Sequence, residues 1–156
     1  MNMNQNKFLL FELCSENYAI PILSAREIIQ MMEITHIPKA PPFITGVINL
    51  KGNIIPVIDL RVKFALPETS YNKKTCIIII ETEEKTRLMG VIVDTVSEVV
   101  NISDISKPPE FNHQHQMDFL YGVGKVNDSV VWILNLDKIV SCDELVIIDN
   151  IKKELA

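Results

Sequence analysis

Apolar and polar positions alternate with a period near two along most of the chain, the spacing of strands with one buried face. Lys7–Leu13 (KFLLFEL) reads as a first strand, followed by a polar turn at Ser15-Glu16-Asn17 and a return strand over Tyr18–Ile22. Ser24 is expected to cap a helix of a turn or two, with Glu27 as its capping-box partner, before strand-like composition resumes towards Ile37. Pro38, Pro41 and Pro42 then impose a rigid bend. Phe43–Leu50 and Asn53–Leu60 make the clearest hairpin, with Lys51-Gly52 at a tip where glycine accepts positive φ. Pro56 cannot donate to a ladder, which predicts an edge strand or a bulge. Asp59 is expected to cap a short helix over Leu60–Leu66, closed by Pro67.

Glu68–Lys74 is a polar linker, and after it the pattern restarts. Thr75–Glu81 (TCIIIIE), Arg87–Val93, Val96–Ile102, Phe119–Val126 and Val130–Leu136 read as strands, the last two joined by Asn127-Asp128. Asp143–Leu155 changes period: apolar residues at 145, 147, 148, 151 and 155 predict a C-terminal helix with one buried stripe.

The two halves repeat. A slide of 76 lays Phe43-Ile44-x-Gly46-Val47 on Phe119-Leu120-x-Gly122-Val123, and Val57-Ile58-Asp59-Leu60 on Ile133-Leu134-Asn135-Leu136. Upstream, a slide of 71 lays Ile20-x-Ile22 on Val91-x-Val93 and Glu27-Ile28-Ile29 on Glu98-Val99-Val100. An odd slip in strand register would turn core side chains outward, so parity kept through several strands points to duplication. The expected fold is all-β: two small barrels of about five strands in pseudo-two-fold arrangement, with short helices and a C-terminal helix. As one domain over 7–149, it divides into subdomains 7–67 and 75–142, a linker 68–74 and a helix 143–155. Barrels this small are expected to share a buried interface, with a groove between them for a partner.

Composition agrees with this class. The 156 residues include 23 Ile and 14 Val, against 13 Leu and 5 Ala, and stiff β-branched side chains suit pleated sheets. A net charge of −5 argues against nucleic acid or an anionic bilayer as partner. The longest uncharged stretch, Ala40–Leu50, has 11 residues and two prolines, too short to span a membrane. Met1–Lys7 is polar, without the apolar core of a secretion signal, so a cytoplasmic location is expected.

Reactive groups converge nowhere in the sequence. Cys14, Cys76 and Cys142 lie in or beside apolar strand sequence and read as small buried hydrophobes. His36 reads as a satisfied or edge histidine. His113 and His115 lack a neighbour to complete a tetrahedral metal set. No Gly-x-Ser-x-Gly occurs, and Gly122-x-Gly124 lacks the third glycine of a dinucleotide fingerprint. No enzyme, metal or cofactor is expected; a small metal-dependent enzyme built around His113 and His115 is the remote alternative.

The run FITGVINLKGNIIPVIDLRVKF (Phe43–Phe64) resembles the signature segment of the CheW-type chemotaxis coupling proteins. The likeness extends to FLLFEL, Arg26-Glu27-Ile28-Ile29, Gly90-Val91-Ile92-Val93-Asp94, Pro108-Pro109-Glu110-Phe111, Tyr121-Gly122-Val123 and Leu136-Asp137-Lys138. It implies two SH3-like barrels and a non-catalytic adaptor between methyl-accepting chemoreceptors and the regulatory domain of the histidine kinase CheA. Such adaptors sit in membrane-associated receptor arrays without inserting into the bilayer. By resemblance, a receptor-binding face would hold Ala25, Glu27, Gly46, Lys51, Gly52, Cys76 and Ile77, and a kinase-binding face Ser106 and Phe111. An adaptor of another chemosensory pathway, such as surface motility, is the alternative within the family. The family's turn usually reads Leu-Arg-Gly, and here it is Leu50-Lys51-Gly52, which keeps charge but loses the bidentate fork.

Overall fold

The computed structural model describes residues 6–67, 70–82, 87–108, 119–140 and 142–155. Ten strands run in chain order: β1 Lys7–Leu13, β2 Glu16–Pro21, β3 Ala25–Gln30, β4 Ile44–Leu50, β5 Asn53–Asp59, β6 Cys76–Glu81, β7 Leu88–Val93, β8 Thr95–Asn101, β9 Leu120–Val126 and β10 Ser129–Leu134. Two helices, α1 Leu60–Lys63 and α2 Cys142–Leu155, complete the regular elements among the described residues, with short turns at Ile22–Ser24 and Leu136–Lys138.

The strands form two five-stranded sheets, ordered β8-β1-β2-β10-β9 and β3-β6-β7-β5-β4. Each closes on itself through the segment after its outermost strand. Thr35, beyond β3, exchanges two 2.9 Å backbone hydrogen bonds with Val47 on β4, and Ser106, beyond β8, does the same with Val123 on β9. Barrel one is therefore the sheet containing β1, and barrel two the sheet containing β6.

Matching strands by the repeat carries one sheet order into the other, so the predicted duplication is present in three dimensions. Register agrees residue by residue: Leu9 faces Val99 as Ile78 faces Ile28, and Ile133 faces Ala19 as Val57 faces Gly90. The sheets do not follow the expected division at 68–74, however. Barrel one takes β1 and β2 from the first half and β8, β9 and β10 from the second; barrel two takes the complement. A tight turn suffices between antiparallel neighbours, whereas the parallel pairs β2–β10 and β5–β7 join strands far apart in sequence.

Three apolar clusters follow from the alternation. Phe8, Leu10, Ala19, Ile102, Val131 and Ile133 fill barrel one, and Ile48, Ile55, Val57, Ile77, Ile79 and Ile92 fill barrel two. The opposite strand faces supply a larger cluster, twenty buried residues among those described, including Leu9, Phe11, Ile20, Ile44, Ile58, Ile78, Ile80, Val91, Leu120 and Leu134. That cluster lies between the barrels and draws on both halves. Six buried side chains at roughly 1.5–3 kcal/mol each fall far short of the cost of ordering five strands, so stability resides in the shared layer. Stacked rings of Phe11, Tyr18, Phe64 and Phe119, with centroids 6.0, 6.1 and 4.5 Å apart in sequence along the stack, run through it.

Local expectations are corrected at five points. The first turn is Cys14-Ser15, both at positive φ, and Glu16 and Asn17 already pair with β1. No helix begins at Ser24; Ile28-Ile29 favour a pleated strand, and pairing of β3 with β6 overrides the capping signal. Pro56 is on neither an edge nor a bulge, since β5 lies between β7 and β4. Its partner Val47 commits both backbone groups to Thr35, and the ladder to β7 starts only at Val57, so no donor is needed there. Asp59 does cap α1, accepting from the Arg61 amide at 3.0 Å, but the helix stops at Lys63. Leu66 N–H reaches the Arg61 carbonyl and Ala65 N–H the Val62 carbonyl, a Schellman closure with Ala65 at φ 56°. On α2, Ile148 and Ile151 pack inward while Ile147 faces solvent, because a helix that seats positions 148 and 151 on one stripe turns 147 aside.

Arg61, 2% exposed, forms the polar centre of the fold. Its Nε and Nη2 donate to the two oxygens of Asp59 at 3.2 and 3.1 Å, and Nη1 lies 3.5 Å from Asp94. Asp94 also accepts the Cys14 amide at 2.7 Å, and the Tyr71 ring covers the guanidinium at 5.1 Å. The hydrogen bonds to Asp59 raise the Arg61 pKa further, against the opposing effect of burial, so the side chain stays charged. One side chain thereby joins the first hairpin, α1, the end of β7 and the linker.

Two outcomes are expected. Gly46→Ala should lower stability by about 1–3 kcal/mol in urea unfolding, because its Cβ would overlap the Thr35 carbonyl and approach Ile34 Cγ2 at 2.8 Å. Arg61→Met should cost about 3–5 kcal/mol by stranding two carboxylates, whereas Lys51→Met on the surface should cost less than about 1 kcal/mol.

Candidate functional site

The first candidate face is the rim of barrel two. Hairpin β4–β5 turns through Lys51 (φ 54°) and Gly52 (φ 87°), both left-handed as a two-residue turn of this twist demands. The Asn49 side-chain oxygen accepts the Gly52 amide at 3.1 Å and fixes the tip. The Lys51 side chain, 75% exposed, then reaches across to β3, where its Nζ lies 3.5 Å from Glu27 Oε1. Glu27 shares strand parity with Ile29, whose side chain packs into barrel two, so the carboxylate sits at the mouth of the barrel. The neighbouring outward row of β3 holds Arg26, paired with Glu81 at 2.8 Å, then Ile28, 48% exposed, and Gln30.

Of the seven residues expected on this face, the structure brings Glu27, Lys51 and Gly52 together at the surface. Ala25 and Cys76 are half-buried at opposite ends of the β3–β6 pair. Burial raises the Cys76 thiol pKa, partly offset by the Val96 backbone, so the group stays protonated at neutral pH. Ile77 and Gly46 lie beneath the surface. Ile77 is 0% exposed in the barrel interior, and Gly46 is buried where the crossing strand segment at Thr35 leaves no room for a side chain. They shape the face from beneath and present no side chain to a partner.

The second face is on barrel one. Ser106 is exposed, its backbone held by the double bridge to Val123, so its side chain shares the outer side of β9 with Val123 and Tyr121. Tyr121 is 61% exposed, the most accessible of the large apolar side chains described. Sequence reading placed it inside a strand without a role; its outward parity in the buried-exposed alternation of β9 was the available signal. Phe111 lies outside the described residues, as do His113 and His115. Ile28 and Val99, 71 apart and both exposed, mark equivalent points on the two barrels.

Reactive chemistry is sparse on either face. His36 Nδ1 donates to the Thr45 carbonyl at 3.0 Å, in keeping with a satisfied histidine. Burial and Asp94 raise the Cys14 thiol pKa, and its Sγ donates to the Pro67 carbonyl at 3.1 Å. Among the described residues no three His, Cys, Asp or Glu side chains gather as a metal site, and no helix is long and apolar enough to cross a membrane.

Comparison with known proteins places this geometry. Residues 7–144 match the model of the CheW-like domain. The chain is 37% identical over 149 residues to the chemotaxis protein CheW of Klebsiella aerogenes, covering 94% of this chain and 89% of that one. It is 35% identical over 139 residues to CheW of Helicobacter pylori (88% and 82%), and 24% identical over 140 residues to protein FrzA of Myxococcus xanthus (86% and 85%). The crystal structure of the scaffolding protein TtCheW from Thermoanaerobacter tengcongensis superposes with a TM-score of 0.81 at 35% identity, covering 89% of this chain and 94% of that one. With its duplicated barrels, its Phe43–Phe64 segment and this match across nearly its whole length, the chain belongs to the CheW-like domain family.

Proposed function

We propose that this protein is a non-catalytic adaptor that couples the cytoplasmic tips of methyl-accepting chemoreceptors to the regulatory domain of the histidine kinase CheA. The observation that carries the reading is the match to the CheW-like domain over residues 7–144. Two exposed faces on different barrels support it, since one partner bound at the Lys51–Glu27 rim leaves the Ser106–Tyr121 surface open to another. The receptor face holds Glu27, Lys51 and Gly52, with Ala25 and Cys76 at its margin. The kinase face holds Ser106 and Phe111. The protein acts on the cytoplasmic side, in arrays organised by membrane receptors. The likeness to FrzA keeps a second chemosensory pathway as the other reading, but identities of 35–37% to chemotaxis proteins, against 24%, favour chemotaxis.

Co-sedimentation with a receptor cytoplasmic fragment and CheA tests the reading directly: the three should pellet together, and kinase activity should rise only with all present. Within that assay, Lys51→Glu should reduce receptor-dependent kinase control at least about tenfold, as it sets two carboxylates against each other at the rim. The double exchange Glu27→Lys with Lys51→Glu separates the causes: recovery assigns the defect to the local pair, persistence to a lost partner contact. Phe111→Asp should weaken CheA binding by about tenfold or more in calorimetry, as expected for an aromatic anchor at an interface; unchanged affinity would remove Phe111 from the kinase face.

A further inference from the structure

Helix α2 follows from barrel one but is held by barrel two. It comes after β10 and the turn at Leu136–Lys138, and its described ion pairs reach across the seam. Lys63 on α1 donates to both oxygens of Glu144 at 2.6 and 2.7 Å. Arg87, just before β7, grips Asp149 through Nε and Nη2 at 3.2 and 2.7 Å. Between these latches Ile148, 1% exposed, enters the core shared by the barrels, and Ile151 packs at its margin. Val146, Ile147, Asn150 and Lys153 face solvent.

We propose that α2 is a charge-latched strap, able to lift from barrel two while both barrels remain folded. Three features carry this. The helix contributes no strand to either sheet, so its release breaks no backbone ladder. Fourteen residues are marginal as an isolated helix in water, so α2 holds its form chiefly by docking, and among its side chains of described burial Ile148 alone is deeply buried. Both latches are ionic and partly open to solvent, with side-chain exposures of 22% and 21% for Lys63–Glu144 and 21% and 46% for Arg87–Asp149, within reach of screening ions. Lifting uncovers the apolar ground beneath Ile148, where the two barrels meet. The match to the CheW-like domain ends at residue 144, so nearly all of the strap lies beyond it. The inference is independent of the adaptor reading.

Hydrogen exchange of the full-length protein, read by mass spectrometry at about 20 mM and about 1 M NaCl, tests it. Peptides over 142–155 should exchange at least about tenfold faster than those of β6 and β7, and should quicken several-fold in high salt while β6 and β7 do not. Asp149→Asn, which opens one latch, should quicken the same peptides at low salt and shrink their response to salt. Protection of α2 equal to that of β6 and β7, or indifference to both salt and Asp149→Asn, would overturn the strap.

Discussion

The apolar layer between the barrels is the constraint on which the rest depends. Each barrel interior holds only six buried apolar residues among those described, whereas the layer between them holds twenty. Because strands bury alternate residues on opposite faces, one set of strands serves both cores: Phe8 and Leu10 point into barrel one while Leu9 and Phe11 point into the shared layer. Reciprocal exchange of strands strengthens the coupling. Pulling the barrels apart would bare the shared layer and leave the chain connections between β2 and β3 and between β7 and β8 as exposed tethers, so the pair behaves as one cooperative unit.

Duplication supplies symmetry, and polar side chains break it. The backbone contacts at Thr35–Val47 and Ser106–Val123 are equivalent, as are the bonds from Asp59 N–H to Phe43 and from Asn135 N–H to Phe119, at 3.0 and 2.7 Å. Gly46 and Gly122 occur at matching places for the same reason, the crossing chain filling the space of a Cβ. Yet the repeat sets Arg61 opposite Asp137 and Asp59 opposite Asn135, so the guanidinium network exists on one side of the molecule only. The surfaces diverge likewise. Barrel two carries a charged rim at Lys51 and Glu27, and barrel one an exposed tyrosine beside Ser106. A duplicated scaffold with two unlike faces is the form an adaptor needs, since each partner must find its own surface.

Legibility of the site followed the range of the interactions that make it. The Lys51-Gly52 tip was readable because a two-residue turn is a local matter of φ and a missing Cβ. Its ion pair with Glu27 was not, because β3 and the tip meet only once the barrel closes; Glu27 looked equally suited to cap a helix after Ser24. Ile77 and Gly46 entered the expected face through motif likeness, and only burial shows that they support it from within. Tyr121 counted only as part of a family-like segment and not as a site residue, since an aromatic in a strand usually faces a core, and its outward parity depends on Gly122 being the residue that turns inward.

Alternation of β-branched residues, tip residues suited to positive φ and a repeat that preserves parity determined the strands, the hairpins and the presence of two equivalent barrels, because each rests on neighbours within a few residues. Which strands share a sheet was decided only in the folded molecule. Parallel pairing of β2 with β10 and of β5 with β7 joins segments from opposite halves, and in a chain whose halves are alike, pairing within a half and pairing across halves satisfy the same pattern. Only the geometry of connection and the burial of both strand faces choose between them.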